Sequence, residues 1–263
     1  MRRPPSRAAL AAAFLALAVL VAAGAQAQVI QKHNLRVATS ATMSPRTLPR
    51  KGAVPISVSI VGHITSTDES DPPALKALSI EINRHGRLEY AGLPICSIGQ
   101  IQPASSGAAY RACHSALVGQ GRYLGTFVLP GAAPYPIEGR LLLFNGRQHG
   151  HEVLLGHVFS PKPFATSFVM IFKISTLRHG TYGTVFSANL AKALGRKRNL
   201  TGIEMTLSRR YHYRGARHGY LSAGCPAPKG FSAAPFSLAR TTFDFAGGRK
   251  ITSTLTQECR ARG

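Results

Sequence analysis

Carboxylates are scarce in this chain: ten Asp and Glu stand against 32 Lys and Arg in 263 residues. Scattered singly, they leave few partners for a catalytic histidine, and without a G-x-S-x-G elbow a serine hydrolase finds no support. Glycoside cleavage needs two acids about 5 to 10 Å apart. Asp68, Glu69 and Asp71 do cluster, but in the Pro-rich turn "DESDPP", where capping or solvating a loop is the expected role. A phosphate-cradling G-x-x-x-x-G-K is missing as well. "VGQGRYLG" is glycine-rich, yet it lies in strand-like sequence and opens no helix, so Gly119 and Gly121 read as a tight bend or bulge.

Long apolar runs are confined to the N-terminus. Arg2, Arg3 and Arg7 precede an apolar stretch from Ala8 to Ala23 and the small residues Ala25-Gln26-Ala27, the pattern of a secretory signal cut after Ala27. As an uncleaved anchor, the stretch is short and Ala-rich for a span of roughly 20 residues. The expected location is secreted or extracytoplasmic, with no transmembrane segment once the signal (residues 1–27) is removed.

Without the three signal arginines the balance is 29 basic against 10 acidic residues, about +19, and such a field favours anionic partners. Outside the cell, nucleic acid is the least natural of these, which leaves anionic wall polymer or a lipid surface. Arg, Ala, Gly and Pro are all abundant, so the charge also fits the compositional bias of a GC-rich genome, a reading that assigns it no partner. Four cysteines, Cys96, Cys113, Cys225 and Cys259, make an even set in an oxidising compartment and favour two disulfides. Of three connectivities, Cys96 with Cys113 and Cys225 with Cys259 is the most local. Each ring would contribute on the order of 3 to 4 kcal/mol.

From Ala53 onward the apolar pattern has period two. In "VPISVSIVGHI", Val54, Ile56, Val58, Ile60 and Ile64 point one way, and Ser57, Ser59 and His63 the other. "GIEMTLSRRY" repeats it, with Ile203, Met205, Leu207 and Tyr211 inward. "YLGTFVL", "GRLLLF", "VLLGHVF" and "SFVMIFKI" are apolar on both faces and read as central strands. Turn chemistry separates the runs ("NRHG", "GAAPYP", "NGRQHG", "SPKP"). Only "SANLAKALGRK" and "PPALKAL" have helical character, about two turns each. The expected fold is all-β: an antiparallel β-sandwich, Greek-key or jelly-roll-like, with two disulfides. It occupies residues 53–263, preceded by a leader or linker at 28–52. Two smaller domains dividing near residues 130–136 are the alternative.

The sharpest enzyme signal joins "RHGTYG" (His179) to "LSAGCP" (Cys225). These fragments resemble the signature of the L,D-transpeptidases, secreted β-rich enzymes that cross-link peptidoglycan, and the resemblance implies Cys225 as a nucleophile. Three departures count against it. Ala223 stands where that family has its catalytic histidine, Pro226 and Ala227 stand where it has an apolar residue and Arg, and His179 is more than twice too far from Cys225. A thiol nucleophile needs a base or a cationic neighbour, and His212 or His218 would have to substitute. A structural disulfide at Cys225 is the stronger reading, and no catalytic residue is assigned.

His149, His151 and His157 share strand parity, but His157 would lie roughly 20 Å beyond His151, too far for one zinc ion on a straight strand. A solvated loop is expected there, and neither metal nor cofactor. The remaining candidate is basic and aromatic-interleaved: "LGRKRN" with Arg196, Lys197 and Arg198, then "SRRYHYRGARHGY" with Arg210, His212 and Arg214 on one face and Tyr211 and Tyr213 opposite. Arg and Tyr suit phosphate-bearing or sugar ligands through charge, forked hydrogen bonds and stacking. The bland counterpart is a solvated edge strand whose cations discourage strand addition. "NLT" at Asn199 is a glycosylation sequon.

Taken together, "GLPICS", "CHSALVGQG", "GRLLLFNG" and "YLSAGCPAPKGF" resemble a group of secreted actinobacterial proteins. These carry a signal peptide, an L-P-x-C segment, a second Cys ahead of a V-G-x-G strand, a "CPAPKGF"-like segment and a C-terminal Cys. The resemblance spans nearly all of the mature chain and implies pairing of the cysteines within each half. It transfers no activity. The expectation is a secreted, non-enzymatic structural or anionic-ligand-binding module of the cell envelope, with a cysteine-dependent wall enzyme as the alternative.

Overall fold

The computed structural model describes residues 27–129, 131, 133–195 and 197–262. The expected signal segment falls almost wholly outside them. The strands of the first half are β1 (Gln28–Lys32), β2 (Leu35–Ser44), β3 (Thr47–Pro49), β4 (Val54–Ser66), β5 (Leu75–Asn83) and β6 (Gly86–Leu88). Two short helices follow, α1 (Ile98–Ile101) and α2 (Ser106–Cys113). Then come β7 (Leu117–Phe127), β8 (Tyr135–Gln148), β9 (His151–Ser160), β10 (Thr166–Thr176) and β11 (Tyr182–Asn189). After α3 (Leu190–Leu194) the chain closes with β12 (Arg198–Leu207), β13 (Arg210–Tyr213), β14 (Ala216–Gly219), β15 (Leu221–Ala223), β16 (Ala233–Phe245) and β17 (Lys250–Arg262).

The all-β expectation holds. Fifteen strands form one sheet in the order β1-β2-β4-β12-β7-β8-β9-β10-β11-β5-β16-β17-β3, with β15 and β6 continuing from β4; β13 and β14 form a separate ribbon. Among the described strands every ladder is antiparallel except that of β17 with β3. Strands β7 to β11 run as a meander of hairpins, and β12 returns beside β7, a Greek-key-like step. β7 and β8 ladder from Leu117 opposite Phe144 to Phe127 opposite Tyr135, so the strands on either side of residues 130–136 pair in one sheet.

The sheet curls until its two halves face each other. Ile56 and Val58 of β4, Ile80 of β5, Phe172 of β10, Met205 of β12 and Phe236 of β16 meet in one interior cluster, although β4 and β5 stand far apart in the strand order. Period two explains this: alternate side chains of every strand are delivered to the same concave face. Within that cluster an almost wholly apolar cavity of about 40 Å³ remains, with Ser222 in its lining. Ligand pockets run to several hundred Å³, so the interior is a packed core.

The two ends of the curled sheet are stitched by side chains instead of a backbone ladder. β1 covers the edge of β2 from Leu35 to Thr39. Beyond that, Gln257 of β17 takes over: its Oε1 accepts from the Met43 amide at 3.0 Å and its Nε2 donates to the Ala41 carbonyl. Gln28 reciprocates, with its Oε1 accepting from the Thr254 amide (3.0 Å) and the Ser253 hydroxyl (2.9 Å). The buried hydroxyls of Thr39 and Ser253 also pair at 2.6 Å. A side-chain amide presents the same donor and acceptor as a peptide unit, so it serves where a ladder cannot reach.

Residues 28–52, expected as leader or linker, are therefore part of the fold. Leu35, Val37, Thr39, Ala41 and Met43 are buried in strict alternation along β2, a series that Thr39 interrupts as an apolar pattern, and Leu48 is buried in β3. "PPALKAL" is the start of β5 and not a helix. Laddering to both β11 and β16 overrides the helix propensity of Ala, Leu and Lys. "SANLAKALGRK" does contain α3, capped by Asn189, whose side chain accepts from the Lys192 amide.

The run 98–116 holds α1, α2 and a closing 3-10 turn where no helix was expected. Ser105 caps α2 by accepting from the Ala108 amide at 3.2 Å. Ala109 and Cys113, four residues apart, bury one side of it on the outer face of the sheet. There they meet Leu142, Phe144, Val153, Leu155 and Val169 in a second core. This is why β8, β9 and β10 read as apolar on both faces. One face lines the interior, and the disulfide-bonded helical segment covers the other.

Candidate functional site

Cys225 is not a thiol. It is bonded to Cys259, and Cys96 to Cys113, with no free cysteine among the described residues. Both Cys225 and Cys259 are buried. "HGYLSAGCPAPKG" packs tightly here: Tyr220, Ser222 and Ala223 are buried, β15 is laddered between β4 and β6, and the Cys225 amide donates to Pro49 at 2.9 Å. A Cβ on Gly224 would stand 2.4 Å from the Gly52 carbonyl, so the glycine serves close backbone approach. Arg50 then braces the following loop by donating to the Ala227 and Pro228 carbonyls at 2.8 Å and to that of Phe231.

His179 lies in the β10–β11 loop. Arg84 fixes that loop by donating to the carbonyls of Gly180 (2.8 Å), Tyr182 (3.1 Å) and Leu177 (3.2 Å). The histidine trio is likewise dispersed. His149 and Gly150, both at positive φ, make the two-residue turn between β8 and β9. His157 is fully buried beneath the helical segment. Its Nε2 lies 3.1 Å from the Ala104 carbonyl, which can only accept, so Nε2 carries the proton. Nδ1 then has no partner among the described residues. Burial pushes the His157 pKa down, against a smaller upward pull from the Ala104 carbonyl. No group of three or more metal-ligating side chains occurs among the described residues.

The two halves of the basic candidate are separated. Arg196 lies outside the described residues. Lys197 and Arg198 stand at the start of β12, and β13 follows its far end, about 30 Å along the strand. Arg198 is engaged in packing. Its guanidinium stacks over Phe127 (5.9 Å) and Phe168 (5.3 Å) and donates to Thr166 Oγ1 (2.8 Å) and the Leu194 carbonyl (3.3 Å). Its neighbour Asn199 is buried, donating to the Pro72 carbonyl (3.0 Å) and accepting from the Leu75 amide (3.2 Å). The sequon is therefore inaccessible in the folded chain.

Residues 210–219 form a two-stranded ribbon with a tight turn at Arg214-Gly215, both at positive φ. Tyr211, Tyr213 and His218 make its inner face. Tyr211 stacks on His218 at 5.5 Å and donates to the Ala91 carbonyl at 3.0 Å, while His218 Nδ1 lies 3.1 Å from Glu89 Oε2. Gly92 passes under Tyr213 where a Cβ would be 2.2 Å from the ring. Arg210 and His212 point outward as expected. Opposite His212 in register stands Arg217, also exposed, which sequence parity alone did not select. Arg214 is not on that face but at the tip, its guanidinium 5.2 Å over Tyr213.

On the outer face of the sheet, Arg122 of β7 joins Glu138 of β8 at 2.8 Å and Glu204 of β12 at 3.9 Å, flanking a cleft of about 580 Å³ that Arg140, Phe159 and Lys162 also line. Residues 66 positions apart meet there only because β7 lies between β8 and β12. Both carboxylates grip one guanidinium, which makes a surface ion-pair network.

Comparison of this chain with family models, curated proteins and solved structures returns no match. No helix among the described residues is long and apolar enough to cross a membrane.

Proposed function

We propose that the protein is a secreted, disulfide-bonded envelope module that binds anionic wall polymer or anionic lipid headgroups through the outer face and tip of the β13–β14 ribbon. One observation carries the reading. Arg210, His212, Arg214 and Arg217 gather on the outer face and tip of a two-stranded element, and Glu89 is engaged by His218 on the opposite face. On the main sheet several cations are held by carboxylates, as Arg240 is by Glu81, Arg147 by Glu152 and Arg122 by Glu138 and Glu204. The ribbon's guanidinium groups thus keep their capacity for forked bonds to phosphate or carboxylate oxygens. The resemblance to secreted actinobacterial proteins, and the oxidised cysteines, support placement outside the cytoplasm.

The test is binding of the full mature chain to poly(glycerol phosphate) and to vesicles containing phosphatidylglycerol. Affinity should fall as salt rises from 50 to 300 mM and drop at least tenfold in Arg210→Glu/Arg214→Glu/Arg217→Glu. Unchanged binding by that triple variant overturns the reading. Alkylation without reductant followed by intact mass separates it from the thiol-enzyme alternative, for which Cys225 would have to be labelled.

A further inference from the structure

The β11–α3 turn and the helical segment do more than cover the sheet: between them they leave a cleft of about 650 Å³ on its outer face. Its floor is Val169 and Ile171 of β10, and two lysines, Lys173 and Lys192, reach it from the floor and from α3. Gln102 closes the side towards the helical segment and Gln148 the end at the β8–β9 turn.

The chemistry of this lining is one-sided. Both lysines are exposed, and neither has an ion pair among the described residues. Among the described residues no carboxylate lines the cleft. The nearest in register, Asp244 opposite Ala77, points to Lys250 at 3.8 Å. The Asn189 side-chain oxygen is engaged by the Lys192 amide, which leaves its NH₂ as a donor. Two ammonium groups and several amide donors thus sit above an apolar floor in a concavity within the size range of small-ligand sites.

We infer that this cleft binds a single-chain amphipathic anion, its apolar chain on Val169 and Ile171 and its carboxylate or phosphate monoester between Lys173 and Lys192. The site shares no residue with the β13–β14 ribbon and stands independently of the function proposed for it. Lysine ammonium groups favour the charged head, and the apolar floor contributes in proportion to the chain area it covers.

Isothermal titration of the full mature chain with decanoate, decyl phosphate and decanol tests this, alongside methyl chemical shifts at Val169 and Ile171. Saturable one-to-one binding of at least one anion is expected, with decanol at least tenfold weaker and both methyls shifted. Decanoate binding assigns a fatty-acid-like carboxylate; binding of decyl phosphate alone assigns a phosphate ester. Lys173→Glu/Lys192→Glu, at two exposed positions, should weaken binding at least tenfold while Arg210→Glu/Arg214→Glu/Arg217→Glu leaves it unchanged. The inference is overturned if neither anion binds, if decanol binds equally well, or if the lysine double variant binds like the parent.

Discussion

His157 shows how a single residue's surroundings reverse its expected role. Strand parity puts it on one face with His149 and His151, and the sequence reads as a solvated loop there. Instead it is sealed between β9 and the Ala104 carbonyl, and burial lowers its pKa below the ordinary 6.5. The unfolded chain therefore binds a proton there at higher pH than the folded one. Stability is fully present above about pH 6.5 and is lost as pH falls towards the depressed folded value, with a slope of at most about 1.4 kcal/mol per pH unit. Urea unfolding at pH 5, 6, 7 and 8 should show this slope, and His157→Gln, which can still donate to Ala104, should flatten it. An equal slope in the variant would assign the dependence to other groups.

Among the elements, β7 and the helical segment depend on specific small or covalent features. The glycine-rich sequence of β7 reads as a bend, and the ladder with β8 is indeed irregular between Leu117 and Gly119. Gly121 serves another need, because a Cβ there would sit 1.8 Å from the Glu204 carbonyl of the neighbouring strand. Gly121→Ala should cost about 3 kcal/mol, since the backbone of β12 must shift, whereas Gly99→Ala, in open space, should cost little. Chemical denaturation of the two variants side by side checks this. The helical segment has one small core of its own and a ring closed by Cys96 and Cys113, 17 residues apart. Cys96→Ser/Cys113→Ser should remove about 3 kcal/mol in the chain-entropy model. Amide exchange in α2 should then rise well before that of β8 and β9.

For the whole molecule, the decisive feature is how the curled sheet ends. β1 and β2 lie at the opposite end of a sheet of many strands from β17, yet Gln257 of β17 binds β2 and Gln28 of β1 binds β17, each across more than 200 residues of sequence. Gln257→Ala removes partners from two backbone groups of β2, and water replaces them only partly. The expected loss is about 1 to 2 kcal/mol, with faster amide exchange at Met43 as the local readout. Unchanged exchange at Met43 would mean that apolar packing alone keeps the edges together.

Alternation in "VPISVSIVGHI" and "GIEMTL", and the doubly apolar β8 to β10, made the all-β fold legible because side-chain period is a local property of extended chain. The even cysteine count did the same for two disulfides. Partner choice was not legible: period two says which face a residue takes, but not which strand lies beside it. Residues 28–49 enter the sheet, Arg217 joins Arg210 and His212, and Lys173 meets Lys192 only through ladders and crossovers between distant segments. The sequence by itself determined strand content, charge and bridging capacity. Only the tertiary structure decided which cations remain free, because whether an arginine is exposed on the β13–β14 ribbon or, like Arg198, is held between Phe127 and Phe168 depends on long-range packing.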